Sequence, residues 1–471
     1  MVDFMCKKKT ILFSISLIVV IAIIGIIFID NIVWKEVSIH LSPDYNELFS
    51  EEQMKEKGHI SELPEYATDV SIAYQNRDGT KTLYVYSAPI RFLNTSGQYS
   101  IIDTRMANVR DTTMRDRGYI YTIANSDIKS FFPKELNKEN GIIIKNDIEY
   151  EFGICDGNAK GWYREFENFV SNDKNGVHYY NCFNSKNTVT FYPSYLGADC
   201  EITFKDDVES NQVDFWLNVD SSMILKEEQG GYITINQIER DKDGKENILV
   251  KGVIQKPLLK TDDGNICFNN TLILESEGEG KYKLSFCFDT KVNLKNTTAF
   301  IAFELRREKQ PDNAIYSKIS DLEYAYLRNY SVIGDSKEYG VGRLLIRYKF
   351  AKYFNLEPSK IKSAYYNIFS VSKNNEKFEL LSVLEDWCSI TGNWNDKYKT
   401  GDRISSTSGM ANILSFDITN EVIKWAEDTS GQMEHNGVLL KQQDELSGKG
   451  SVFLSNDNTL YRNFTEVILY N

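Results

Sequence analysis

From about Tyr66 onward, apolar and polar residues alternate with a period of two, and this pattern decides what kind of structure the chain can build. Thr82-Leu-Tyr-Val-Tyr86, Val213-Asp-Phe-Trp-Leu-Asn-Val219 and Arg343-Leu-Leu-Ile-Arg-Tyr-Lys-Phe350 all show it. Successive side chains of an extended strand point to opposite faces, so such runs read as half-buried strands. In the last of them Leu344, Ile346, Tyr348 and Phe350 share a face, while Arg343, Arg347 and Lys349 point away. Asp78-Gly79, Asp243-Gly244 and Asp263-Gly264 supply hairpin turns between such runs. Composition agrees: 28 Tyr and 26 Phe stand against 8 Pro, a bias toward residues that suit a pleated surface. The chain therefore reads as mostly β, built of antiparallel sandwiches. One short helix is expected over 419–427, where Val422, Ile423 and Trp425 bunch on one side behind Thr419 as N-cap.

Ahead of the strands, Thr10 to Ile29 is a run of 20 residues without a charge. At about 1.5 Å per residue such a helix spans the roughly 30 Å of a bilayer core. Lys7, Lys8 and Lys9 precede it, and basic flanks stay cytoplasmic, so the expectation is a single-pass cell-membrane anchor with the C-terminal domains extracellular. A cleaved signal peptide is the rival reading, but its apolar core is shorter and ends on small residues, whereas Ile26, Ile27, Phe28 and Ile29 close this run. Ser42-Pro43-Asp44 opens a short helix directed toward Lys57-Gly58. The expected organisation is a cytoplasmic tail at 1–9, the membrane helix at 10–29 and a stalk at 30–65. A β-rich region follows at 66–311, with a split into two subdomains near 170–180, and a closing sandwich at 312–471.

The formal charge is −13, and −15 once residues 1–10, with three Lys and one Asp, are set aside. Nucleic acid is bound mainly through Lys and Arg clusters, so this balance excludes it as a partner. Six of the seven cysteines lie beyond the anchor, where disulfides persist. In Tyr282-Lys-Leu-Ser-Phe-Cys-Phe288 the alternation puts Cys287 opposite the core face, so a strand-to-strand bridge from Cys267 to Cys287 is the expected pairing, with free thiols as the alternative.

GxSxG, HExxH, CxxC and Walker sequences are absent, so serine-hydrolase, zincin, zinc-ribbon and P-loop readings have no local support. His40, His59, His178 and His435 show no metal-ligand spacing and read as surface or loop residues. Asp241-Lys-Asp243-Gly244 resembles a calcium loop only in part, lacking its distal Glu, so no cofactor is expected beyond a structural calcium ion. Of the tryptophans, Trp387 and Trp425 read as core, the one following a strand and the other on the apolar face of the helix. Trp394, within Gly392-Asn-Trp-Asn395, reads as a loop residue. An exposed indole stacks on a sugar ring while amide side chains bond its hydroxyls, so Trp394 with Asn393 and Asn395 is the candidate carbohydrate-binding set.

An ordered series of segments extends this reading. It comprises Ala325-Tyr-Leu-Arg328, Arg343 to Tyr348, Ile361-Lys-Ser-Ala-Tyr365, Trp387 with Trp394-Asn395, Phe416-Asp-Ile-Thr419 with Trp425, Asn436-Gly-Val-Leu-Leu440, and Val467-Ile-Leu-Tyr470. Residues 321–471 resemble the DNRLRE domain, a carbohydrate-binding-module-like sandwich of bacterial and archaeal surface proteins. Residues 66–307 resemble the region that accompanies it in wall-associated and RHS-like secreted proteins, through Arg77-Asp-Gly-Thr80, Ser87 to Phe92 and Lys256-Pro-Leu-Leu259. The resemblance implies a jelly-roll-like C-terminal sandwich and a place at the cell wall. Phe300 to Leu305 reads FIAFEL where the family carries a proline-bearing strand.

Three functions follow. The first is a membrane-anchored, non-catalytic surface protein whose C-terminal sandwich binds cell-envelope or matrix polysaccharide. The second is a structural or adhesive protein that contacts other proteins or spaces domains from the membrane. The third is a polysaccharide-degrading enzyme with a dispersed carboxylate site.

Overall fold

In a computed structural model of the chain the described residues are 51–86, 89–164, 176–206, 208, 211–228, 231–240, 246–262, 266–267, 270–305, 312–316, 330–336, 340–347, 356–370, 375–385, 387, 394, 398–411, 413–427, 436–454 and 463–471. Their strands form two sandwiches of antiparallel sheets. The membrane run 10–29 lies outside the described residues. Among the described residues no helix is long and apolar enough to cross a membrane.

The first sandwich faces an eight-stranded sheet against an eleven-stranded one. The smaller sheet runs, in spatial order, through Thr271–Gly278, Lys281–Cys287, Gln212–Val219, Glu149–Ile154, Ile142–Lys145, Lys129–Pro133, Tyr119–Asn125 and Asp103–Asn108. The larger runs through Met223–Glu227, Ile233–Arg240, Glu246–Ile254, Thr298–Leu305, Gly197–Thr203, Asn187–Ser194, Gly176–Cys182, Ala159–Arg164 and Glu135–Leu136. Two short strands, Leu258–Lys260 and Ile266–Cys267, extend it beside Thr298–Leu305. The alternation read in Val213–Val219 is realised here: Val213, Phe215 and Leu217 lie in the core. Across the two sheets Phe152 stacks on Phe303 with ring centroids 3.7 Å apart. Each such fully buried side chain contributes about 1.5–3 kcal/mol.

The second sandwich pairs a six-stranded sheet with a seven-stranded one. The six strands are His59–Glu62, Ser71–Asn76, Lys81–Tyr86, Phe464–Leu469, Ile361–Phe369 and Ile413–Asp417. The path of the other sheet is Thr400–Ser408, Lys377–Val383, Val438–Gln442, Gly340–Ile346, Tyr330–Ser336 and Ser451–Leu454, with Asp312–Tyr316 also paired to Gly340–Ile346. Leu83 and Val85 share a core with Leu344, Ile346, Phe378 and Val467. The opposite face of the six-stranded sheet is also buried: Tyr74, Tyr84 and Tyr86 pack there with Ile72 and Ile90, against Met54 of the helix Glu51–Lys57.

Three expectations about organisation are corrected by this topology. Lys81–Tyr86 lies between Ser71–Asn76 and Phe464–Leu469, so residues 59–86 belong to the closing sandwich and not to a region 66–311. The distal end of the expected stalk, 51–62, is a helix and an edge strand of that same sandwich. A split near 170–180 fails as well, because Ala159–Arg164 pairs with Gly176–Cys182 and Glu149–Ile154 pairs with Gln212–Val219. The first sandwich is thus an insertion between the third strand of the second sandwich and the remainder of it.

A two-stranded ribbon, Arg91–Leu93 with Tyr99–Ile101, carries the chain into the insertion. The Arg91 guanidinium donates to Glu62 at 2.8 Å, and the Ile90 and Arg91 amides donate to the Asp69 carbonyl. On the other side Ile102 packs with Tyr195 and Leu196, and the Asn125 amide donates to the Ile101 carbonyl at 2.6 Å.

The short helix occupies Thr419–Glu427, as the spacing predicts, and Val422 and Trp425 enter the core. Thr419 is its first helical residue and not its cap: the Val422 amide donates to the Ile418 carbonyl, and the Thr419 hydroxyl donates to Asp417 at 2.6 Å.

Candidate functional site

Inward-pointing Leu344, Leu380 and Leu440 leave the alternate residues of their strands on the outer face of the seven-stranded sheet. There, cross-strand register lines up Leu381, Leu439 and Leu345 as an apolar row. Trp387 and Trp394 pack on this row with Val383 and Tyr398. Trp387 is buried, donates its indole N–H to the Asn436 carbonyl at 2.6 Å and carries the Arg347 guanidinium 4.8 Å above its ring. The core role expected for Trp387 is therefore the observed one, but in a satellite cluster outside the sandwich interior.

Trp394 is half-buried at the same face, with the Arg343 guanidinium carbon 4.4 Å from its ring centroid. Arg343 is itself held by Glu445 through two hydrogen bonds, 2.6 Å from Nε and 2.8 Å from an Nη. This bidentate geometry fixes the plane of the guanidinium and hence the platform beneath the indole. Lys441 bridges to Glu379 at 3.0 Å and to Glu445 at 3.9 Å, so Glu445 is shared between Arg343 and Lys441. Asn393 and Asn395, the other two members of the candidate set, lie outside the described residues.

Of the remaining tryptophans, Trp34 lies outside the described residues and the other three differ in role. Trp425 is core, as expected. Trp216 covers the outer face of the eight-stranded sheet: its indole N–H donates to the Asn137 carbonyl at 2.9 Å, and the ring lies directly over Gly153 and Gly141. Trp162 is different, being 69% exposed on Ala159–Arg164. Sequence reasoning missed it by concentrating on the last third of the chain. Its signal was the strand phase, which puts Ala159 in the core and so turns Lys160 and Trp162 outward.

The expected Cys267–Cys287 bridge does not form, the Cys287 thiol being free. Cys267 lies on a strand attached to the larger sheet of the first sandwich, and Cys287 on a strand of the smaller sheet. Alternation reports the face a residue occupies but not its sheet, which is why the inference failed. Cys182 and Cys200 are buried thiols of the core. Burial pushes the Cys182 thiol up to about 12.

His59 corrects the surface reading given to the histidines. It is buried, stacked on Tyr74 with centroids 4.7 Å apart, and hydrogen-bonded to Asn76 at 2.7 Å and Tyr84 at 2.9 Å. Burial moves it below the ordinary imidazole value, against the opposing effect of Asn76. His178 sits on a strand, with the Thr190 hydroxyl 2.9 Å from its Nδ1. His40, His435 and the loop 241–245 lie outside the described residues.

Among the described residues no three His, Cys, Asp or Glu side chains converge to hold a metal ion. A cleft of about 580 Å3 gathers Asp147, Glu149, Glu151 and Asp220. Their partners are local: Asp147 bonds Lys251 at 2.6 Å, Glu149 bonds Lys145 at 2.8 Å, Glu151 accepts from the Tyr119 hydroxyl at 2.8 Å, and Asp220 accepts from the Ser222 amide at 2.8 Å. These are ion pairs and turn caps that organise a sheet end.

No family model matches the chain, and no curated protein matches it. Among solved structures it is similar to the N-terminal domain of the Streptococcus gordonii adhesin Sgo0707, at 8% identity over 83% of this chain and 88% of that one, with a TM-score of 0.15. Another is a recombinant N-glycanase F (PNGase F), at 10% identity over 58% of this chain and 96% of that one, with a TM-score of 0.11. Likenesses this slight carry no argument about either fold or function.

Proposed function

We propose that the chain is a membrane-anchored, non-catalytic protein of the cell surface, whose C-terminal sandwich binds polysaccharide of the envelope or of a matrix. The anchor reading rests on the uncharged run Thr10 to Ile29 behind three lysines. The binding reading rests on one arrangement above all: Trp394 set on the outer face of a sheet, over an arginine that Glu445 locks in place. An indole held this way is pre-organised to meet the apolar face of a sugar ring, so little ordering cost is left to binding. The resemblance of residues 321–471 to the DNRLRE domain supports the same reading.

Binding of purified full-length protein to a panel of envelope and matrix polysaccharides tests it. Trp394→Ala is expected to weaken binding at least about tenfold, the equivalent of ~1.4 kcal/mol. Unaltered binding in that variant refutes the site. Protease accessibility of the C-terminal sandwich on intact cells tests the outward orientation.

One observation favours the adhesive reading. On the hairpin Ile233–Arg240 and Glu246–Ile254, Ile238 and Ile248 are direct cross-strand partners, 36% and 67% exposed. Leu249 on the same hairpin and Ile224 on its neighbouring strand are also exposed, at 37% and 47%, and exposed aliphatic surface of this kind suits a protein contact.

A further inference from the structure

Trp162 is directly opposite His178 in the antiparallel register of the larger sheet of the inserted sandwich, and His178 is followed on the same face by Tyr180. The imidazole and the phenol ring are nearly parallel, with an interplanar angle of 18° and centroids 6.3 Å apart. Trp162 is 69% exposed and Tyr180 44%. Tryptophan is on average well buried, so one turned outward beside two further flat rings is a departure that ordinary folding does not require. Across the next strands the row continues from His178 to Thr190 and then to Glu201. Thr190 bonds the imidazole at 2.9 Å and fixes its plane.

We infer that this outer face is a second carbohydrate-binding site, one that takes the ring faces of a neutral glycan. The chemistry is that of a pyranose: flat C–H faces that stack on aromatic rings, edged by hydroxyls that need donors and acceptors. Trp162 and Tyr180 supply the exposed rings, with the half-buried His178 imidazole between them as support, and the Tyr180 phenol supplies a polar partner. Glu201, beyond the buried Thr190, is engaged by the Tyr192 hydroxyl at 3.3 Å. On this face the exposed Lys160, two residues before Trp162, offsets Glu201 across the sheet, so no local excess of positive charge recruits a polyuronate and a neutral chain is favoured. This inference rests on the reading of the protein as a glycan binder, but not on Trp394, which belongs to the other sandwich.

The test uses the full-length protein and four forms: unmodified, Trp162→Ala, Tyr180→Ala and Trp394→Ala. Each is titrated by calorimetry with neutral β-linked glucose and N-acetylglucosamine oligomers, and with polygalacturonate. Thermal melts of each form provide the control for a purely structural role. The expected result is that Trp162→Ala weakens binding of a neutral oligomer about tenfold, Tyr180→Ala weakens it less, melting is little changed, and polygalacturonate does not compete. If Trp162→Ala binds like the unmodified protein while Trp394→Ala loses binding, the second site is refuted and the C-terminal one stands. If Trp162→Ala loses binding and Trp394→Ala does not, the second site stands and the C-terminal one is refuted. A lowered melting temperature with unchanged affinity in Trp162→Ala, or binding of no neutral oligomer by the unmodified protein, overturns the inference.

Discussion

Tyr84 donates its phenolic hydrogen to Glu466 across a sequence separation of 382 residues, at 3.2 Å. Their strands lie side by side, with Tyr84 and Glu466 as register partners. Burial, together with this carboxylate, pushes the phenol far above its ordinary titration range, so it remains a donor throughout the working pH range.

The closing sandwich therefore needs residues 59–86. A fragment of 312–471 is expected to show no cooperative unfolding transition by circular dichroism, because Phe464–Leu469 loses its partner and Leu83 and Val85 leave the core. In the full chain Leu83→Ala should cost about 2–5 kcal/mol in denaturant melts. A fragment that melts cooperatively on its own would show that the hairpin is dispensable.

His59 should make stability depend on pH. Burial is the largest influence on it and lowers its proton affinity in the folded state, so the unfolded chain binds the proton more readily. Stability is then full above the unfolded value of about 6.5 and falls as pH drops through it toward the lower folded value. The groups around it include Lys57, which lowers the value further, and Glu466, which raises it. Melting temperatures measured from pH 7.5 to 5 should fall less steeply in His59→Gln than in the unmodified protein, and equal slopes would remove His59 from the explanation.

Thiol chemistry should follow burial. Cys182 and Cys200 sit in the core with their thiols held well above the ordinary range by burial, so Ellman's reagent at pH 8 should reach them only after denaturation. Replacing Cys267 and Cys287 together by Ser should leave the melting temperature unchanged under oxidising conditions. A clear drop there would mean that a bridge forms after all.

Gly153 is required by Trp216. A β-carbon at this position would lie 2.8 Å from the indole, which is anchored through its N–H to Asn137. Gly153→Ala is expected to cost about 1–3 kcal/mol through overpacking. Adding Trp216→Leu should recover part of the loss, an interaction that a double-mutant cycle measures directly.

Local pattern was legible to the extent that one strand carries its own information. The phases of Val213–Val219, of Leu344 with Ile346 and of the helix at 419–427 follow from side-chain periodicity alone. Partnership did not follow. Nothing in Lys81–Tyr86 announces Phe464–Leu469 as its neighbour, since register across several hundred residues is selected only in the assembled core. Tyr84 and Tyr86 are buried on the face that alternation leaves for solvent, because Met54 and the helix Glu51–Lys57 lie against it. Trp394 was legible as an aromatic outside the main core, but its clamp could not be seen, because Glu445 is 102 residues from Arg343.

The insertion also sets an order of events. Everything the first sandwich needs has been synthesised by Leu305, whereas the hairpin at 71–86 cannot be completed into its sheet until 464–469 exists. Joining these ends directly would close a very long loop. A folded insertion bridged by the ribbon at 91–101 shortens the entropic distance between them, since a compact body replaces most of the flexible chain. Defects in the first sandwich should therefore surface as slow closure of the second, a kinetic dependence between two bodies whose hydrophobic cores are separate.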